Sequence, residues 1–201
     1  MTNNFQFISE PHSYILKGKS LPHPTGIIKH FGMINYDAVN QGLLDYSAVK
    51  GQSIHQTTMA LDKGELDMLT LNPVMYPYLE AWSDFTTDYK VEAIEHEYCN
   101  YSEKYGFGYT IDLIAKITNR AGTLIAIIDK KSGTVENEKA WRIQTALYQI
   151  GWNERNPDKK ALLRLVVRLD DTGKYNPIPY TEKIDLNVAL SALQVYNFIN
   201  S

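Results

Sequence analysis

The sequence predicts an α/β fold with a mixed central sheet flanked by helices. Three observations carry that expectation. Apolar residues recur at helical spacing in the first part of the chain and again at its end. Three successive segments in the middle switch to strand character. A helix then separates the last of these from a further strand, which is the pattern of a crossover in a layered α/β structure. The chain has 201 residues, 44% of them hydrophobic, which suits one sizeable core. The expected organisation is a single domain over residues 1–201, in which an N-terminal hairpin and helices (about 1–88) pack on a core (about 89–201).

The elements follow in order. Residues 5–8 and 14–16 read as the arms of a hairpin, with a later turn at Lys17-Gly18-Lys19. Pro24 and Thr25 open a short helix through Ile27, Ile28 and Phe31, with Thr25 as its expected cap. A longer helix is expected over about 37–61, with a break near Lys50-Gly51, and another after Pro73 carries Tyr78, Leu79, Trp82 and Phe85 at helical spacing. Residues 91–98, 109–117 and 124–129 read as strands. The run 124–128 is apolar at every position, as a central strand covered on both faces requires. Residues 138–152 form a helix with a core stripe at Ile143, Leu147 and Ile150, and 161–169 a strand. A last helix begins at Asp185 and turns Leu186, Leu190, Leu193 and Phe198 inward.

Composition narrows the function classes. Cys99 is the only cysteine, so no disulfide forms within the chain, and an iron–sulfur cluster or cysteine-built zinc site is excluded. No apolar stretch approaches the roughly 20 residues of a membrane span. The first ten residues lack a basic stretch followed by an apolar one, so the expectation is a cytoplasmic protein. The formal net charge of −3 argues against a protein that coats DNA. It is compatible with an enzyme whose acidic site is offset by a local basic groove, for which Lys17, Lys19, Lys139 and Arg142 are the candidates.

The residues that carry chemistry lie on the expected strands and helices. Asp129 and Lys131 are two apart and share a face where the apolar strand ends. A carboxylate at that lip needs a partner, which Mg²⁺ would supply, and the neighbouring ammonium would orient a water. A solvated turn before Ser132-Gly133 is the plainer reading of the same residues. Asp112 sits within Ile111-Asp112-Leu113-Ile114, where an acid is disfavoured and serves either as a ligand or as a hydrogen-bond hub. Glu95 and Glu97 share a face of the preceding strand, and spacing does not choose between them or exclude an exposed edge. Gln144 and Tyr148, four apart and one turn after Trp141, place an amide and a phenol beside the core stripe, suited to a phosphodiester backbone or simply to a polar shoulder. Gly51 stands one turn before His55, leaving room on that face for a ligand of the imidazole, though a lone helical histidine is commonly structural.

Taken together, these residues resemble the RecB-like branch of the PD-(D/E)XK nuclease superfamily, in particular its small phage and prophage exonuclease-like members. The resemblance covers about residues 5–150. His12-Ser13-Tyr14 and Leu21-Pro22-His23-Pro24-Thr25-Gly26-Ile27-Ile28 match the N-terminal region of those proteins, and Gly51 to His55 their helical histidine motif. Glu95 matches the first acidic position, Asp112 the second, Asp129 with Lys131 the D-x-K element, and Gln144 with Tyr148 the Q-x-x-x-Y motif. The resemblance implies a restriction-endonuclease-like core and metal-dependent hydrolysis of DNA phosphodiester bonds by an exonuclease of recombination, repair or phage replication. The alternatives are a structure-specific or restriction-like endonuclease, and an idle nuclease fold that only binds DNA or a partner. The resemblance further implies Mg²⁺ or Mn²⁺ held by His55, Asp112, Asp129 and the main-chain carbonyl of Lys130, with Glu95 assisting. It gives Lys131 the attacking water, and Gln144 and Tyr148 the orientation of Lys131 and of the DNA. DNA is the implied partner, without a membrane; a recombination protein and an oligomer are left open, and the setting is a bacterial or phage-infected cell. The chain departs from the family at two places. Tyr109 stands where glycine is common, so a ring is expected to narrow the DNA groove, and Lys130 adds a charge between Asp129 and Lys131 where an apolar residue is usual.

Overall fold

A computed structural model describes residues 4–9, 12–34, 40–119, 122–132 and 137–200. Strands β1 (Phe5–Ile8), β2 (Ser13–Leu16) and β3 (Lys19–Leu21) form a small antiparallel sheet. Helices α1 (Pro24–His30), α2 (Gln41–Asp62) and α3 (Tyr76–Asp88) follow. The main sheet takes β4 (Val91–Ser102), β5 (Phe107–Asn119) and β6 (Gly122–Lys131), then, after α4 (Glu138–Arg155), β7 (Leu163–Leu169) and β8 (Tyr175–Tyr180). Helix α5 (Lys183–Ile199) ends the described chain.

The five strands lie in the order β4-β5-β6-β7-β8. Every pairing is antiparallel except β6 with β7, which α4 joins in parallel. The sheet is therefore mixed, with β6 at its centre, as an uninterrupted apolar strand demands. Its two faces carry separate cores. Ile27 and Ile28 of α1, Ile143, Ala146 and Leu147 of α4, and Ala189 and Leu193 of α5 cover Ile114 and Ile127. Ile54 of α2 and Tyr78, Trp82 and Phe85 of α3 cover Leu113, Ala126 and Ile128 on the other face. Among the described residues no helix is long and apolar enough to cross a membrane.

The small sheet seats β2 on β5. The Tyr14 hydroxyl reaches Thr110 Oγ1 at 2.8 Å, and a Cβ on Gly108 would lie 2.2 Å from the Tyr14 ring. Tyr109 then points the other way, as strand alternation requires. It is fully buried, and its ring occupies the space a Cβ on Gly151 of α4 would need, 2.3 Å from Cε1. The ring expected to narrow a DNA groove thus packs in the core. Overpacking there costs about 1–3 kcal/mol, against the roughly 1 kcal/mol alanine gains over glycine inside a helix. Gly151→Ala is therefore expected to lower the denaturant midpoint, and Tyr109→Leu in the same chain to restore it. A midpoint raised by Gly151→Ala alone would contradict this packing.

Several local expectations are corrected. Helix α1 is capped by His23 with Pro24 in the first turn, and no side chain caps it, so Thr25 is inside the helix. Proline suits that position because its missing N–H has no intrahelical partner to lose. Helix α2 runs unbroken through Lys50-Gly51 from a cap in which Asn40 accepts from the Gly42 N–H at 2.8 Å; its expected start at Asp37 lies outside the described residues. Strand β8, not anticipated from the sequence, carries Pro177 and Pro179. Proline is accepted on an edge strand, where alternate N–H groups face away from the ladder. In α5, Leu193 is buried as expected, but Phe198 is 83% exposed.

Candidate metal centre

The ladder between β5 and β6 pairs Leu113 with Ile128, and one further step would set Asp112 against Asp129. There the strands part. The Lys130 N–H, which would otherwise seek a carbonyl of β5, donates to Asp112 Oδ2 at 2.8 Å. β6 continues to pair with β7 as far as Lys131. A fork opens between the two central strands, with a carboxylate on each prong. Both are buried, Asp112 at 8% and Asp129 at 1% exposure, so ionising them requires compensating cations or donors.

Helix α2 brings His55 over this fork. Its Nε2 lies 2.9 Å from the Lys130 carbonyl oxygen. A carbonyl only accepts, so the ring proton sits on Nε2. Nδ1, which faces Asp112 Oδ2 at 3.4 Å, is then the atom left for a proton or a metal ion. Metal-ligating histidines are commonly oriented in this way by a second hydrogen bond to a backbone carbonyl. The carbonyl implied as a metal ligand is thus engaged in holding the imidazole. A Cβ on Gly51 would meet nothing within 4 Å, so the space before His55 is open.

The third member is Glu97. β4 pairs His96 with Leu113 and Tyr98 with Ile111, which leaves Glu97 opposite Asp112. Its backbone is left-handed, with φ of 47°. For a residue with a Cβ that conformation costs about 1–2 kcal/mol, and such strain concentrates where a side chain must be aimed. His55, Glu97 and Asp112 each offer a ligand atom, and these atoms lie within 4.8 Å of one another. Desolvation of its carboxyl, and next the Asp112 carboxylate, push Glu97 above the usual carboxylate range. Glu95 and Glu97 are both exposed residues, but Glu95 pairs with Ile114 and lies outside this group. What sets Glu97 apart is its place opposite Asp112 and its left-handed backbone, and neither is visible in residue spacing.

Asp129 lies beside the group of three. Its Oδ2 is 2.8 Å from Lys131 Nζ. Burial raises its pKa, opposed first by the Lys131 ammonium. On α4, Gln144 Nε2 donates to the Tyr148 hydroxyl at 2.9 Å. Tyr148 is buried in the core, not beside it, and burial followed by the Asp129 and Asp112 carboxylates raises its phenol well above the ordinary value. It is therefore a neutral phenol, held by Gln144 and within electrostatic range of the two fork carboxylates. Arg142, expected in a basic groove, is instead bound to Asp185, with Nε donating to Oδ1 at 3.0 Å.

Behind the fork, Thr58 and Asp62 escaped the sequence reading. They follow His55 by three and seven residues, so all three share one face of α2, and that spacing was the available signal.

The residues fit a hard divalent cation: two carboxylates and an oriented imidazole nitrogen converge, with a further carboxylate alongside. No protein-family model matches the chain. No curated protein matches it either. Among solved structures it is similar to the crystal structure of a candidate exonuclease from Eubacterium rectale, at 14% identity and a TM-score of 0.47, over 89% of this chain and 74% of that one.

Proposed function

We propose that this chain is a divalent-metal-dependent nuclease that hydrolyses DNA phosphodiester bonds, acting from an end. The observation that carries the reading is the fork where the β5–β6 ladder ends. It gathers His55, Glu97 and Asp112 and sets the Asp129–Lys131 pair beside them. Supporting it is the order of motifs along the chain, which resembles the RecB-like PD-(D/E)XK branch. Residues 1–88 then serve as one domain with the core, since His55 comes from α2.

In this reading His55 Nδ1, Asp112, Glu97 and Asp129 hold Mg²⁺ or Mn²⁺, with Glu97 in the place the resemblance gives to Glu95. A divalent ion held by these residues would lower the pKa of a water and supply positive charge to the phosphate oxygens. Lys131 holds the attacking water on its ammonium and meets the charge that builds on the phosphoryl group. Asp129 keeps that ammonium in place through the 2.8 Å contact. Tyr148, kept protonated by burial, donates towards the fork, and Gln144 fixes its ring.

The test incubates linear and covalently closed circular DNA with Mg²⁺, Mn²⁺ or EDTA. Linear DNA is expected to be degraded with either metal and spared by EDTA, while the circle survives. Attack on both substrates would make the enzyme an endonuclease. No cleavage with any metal, at any protein concentration that binds DNA, would overturn the catalytic reading.

A further inference from the structure

We propose that Lys130 is the positioning residue of this centre: its side chain and main chain close a ring of hydrogen bonds that holds His55 with Nδ1 turned to Asp112. The inference rests on the metal-centre reading for its purpose, but its geometry stands on its own.

Lys130 alternates away from Asp129 and Lys131, and its side chain enters the core beside Ile128. An apolar residue is the default there. Instead the chain places an ammonium at 0% exposure. Its Nζ donates to Thr58 Oγ1 at 2.9 Å. An ammonium only donates, so the threonine hydrogen must go elsewhere. It is shared between two carbonyls of α2, Ile54 at 2.8 Å and His55 at 3.1 Å. The Lys130 carbonyl then accepts from His55 Nε2 at 2.9 Å, which closes the ring. The Lys130 N–H meanwhile binds Asp112 Oδ2 at 2.8 Å. One residue thus fixes the height of the His55 turn, the orientation of its ring and the rotamer of the facing carboxylate.

The surroundings hold the ammonium in place. It lies 5.0 Å from the centroid of the Trp82 ring on α3, a cation–π distance. Trp82 Nε1 donates to Asp62 Oδ1 at 2.7 Å, and Asp62 Oδ2 is 3.8 Å from His96 Nδ1 on β4. Burial pushes the Lys130 pKa below its ordinary value, and the carboxylates of Asp112, Asp62, Glu97 and Asp129 oppose that shift. Charge-assisted bonds of this kind are stronger than neutral ones and tolerate less displacement. Because the tie runs through Thr58, the part played by position is separable from the part played by charge.

The test uses the full chain without DNA. Lys130→Met removes tie and charge, while Thr58→Val cuts the tie and leaves the charge. Mn²⁺ affinity is measured by calorimetry, and the protonation site of His55 by long-range ¹⁵N–¹H spectra of the metal-free protein. Each single variant is expected to weaken Mn²⁺ by about 10-fold, the lower end for loss of an outer-shell contact. The double variant is expected to match the singles, since both break one ring. His55 in the unsubstituted protein is expected to carry its proton on Nε2, and Lys130→Met to mix the two tautomers. Thr58→Ser keeps the hydroxyl and is expected to restore affinity, which guards against a folding defect in Thr58→Val. Unchanged or tighter Mn²⁺ binding by Lys130→Met would show that the lysine acts as charge or filler, and would overturn the proposal. So would a His55 proton found on Nδ1. Failure of the unsubstituted protein to bind Mn²⁺ would instead defeat the metal-centre reading, and the tautomer of His55 in Lys130→Met would still decide the positioning role.

Discussion

Lys131→Ala is expected to lower single-turnover cleavage of linear DNA by about 10²–10³-fold, as loss of one preorganised electrostatic contact does elsewhere. DNA affinity is expected to change little, because a group that acts mainly in the transition state affects rate more than binding. The ammonium stands 2.8 Å from Asp129 Oδ2 on the prong that bears the proposed water. Its removal has a second consequence. Lys131 is the main influence that holds the buried Asp129 carboxyl down against desolvation, so the variant favours the protonated acid there. Cleavage must therefore be measured at saturating Mn²⁺, alongside circular dichroism and a binding curve. Lys131→Arg keeps a cation and is expected to recover part of the rate. Asp129→Asn differs in kind: it weakens metal binding, and excess Mn²⁺ is expected to rescue it partly. Cleavage near that of the unsubstituted protein in Lys131→Ala would defeat the proposed chemistry.

Asp185→Ala is expected to be the most destabilising single change away from the fork. Asp185 is 4% exposed and joins α5 to α4 and β7. Its Oδ2 accepts from Arg164 NH2 at 2.8 Å, and its Oδ1 accepts from Arg142 Nε at 3.0 Å. Arg164 is itself 1% exposed. Its NH1 and NH2 also donate to the carbonyls of Arg142 and Glu182, at 2.9 and 3.1 Å. Those dipoles remain in the variant, but the balancing anion does not. Removing one partner of a buried ion pair typically costs about 3–5 kcal/mol, because the other charge stays buried. Two-state urea unfolding at constant pH measures this. Arg164→Leu in the Asp185→Leu background is expected to recover much of the loss, since an apolar replacement of the whole pair needs no desolvation. A loss below about 1 kcal/mol for Asp185→Ala would place the pair among surface contacts.

Neither the Asp185 network nor the choice of Glu97 over Glu95 was legible in the sequence, and the reasons differ. Asp185 reads as an acid in the first turn of a helix, a favourable place for any carboxylate. Its burial depends on Arg164, 21 positions away on another element. The choice of Glu97 over Glu95 depends on the pairing that sets Glu97 opposite Asp112 and on its left-handed backbone, and neither leaves a mark on residue spacing. Tyr109 misled for a related reason. Its neighbour Gly108 supplies the close approach to Tyr14, and the phenol ring is turned to Gly151, a contact that only the packing of α4 on β5 creates.

The sequence by itself determined the order of the elements other than β3 and β8, the mixed sheet with an apolar strand at its centre, and the placing of Asp112 within one strand and of Asp129 and Lys131 at the end of the next. Those features follow from hydrophobic period and from alternation along a strand, both local properties of the chain. Tertiary structure alone decided where β5 and β6 part, which glutamate faces Asp112, and how Lys130 is used. Its carbonyl, its N–H and its ammonium are committed to His55, Asp112 and Thr58 respectively. Those three partners come from two other elements, one of them 75 positions distant. The physical reason is that a buried polar group must find its partner in space, and residue spacing constrains only the partners that lie along the same helix or strand.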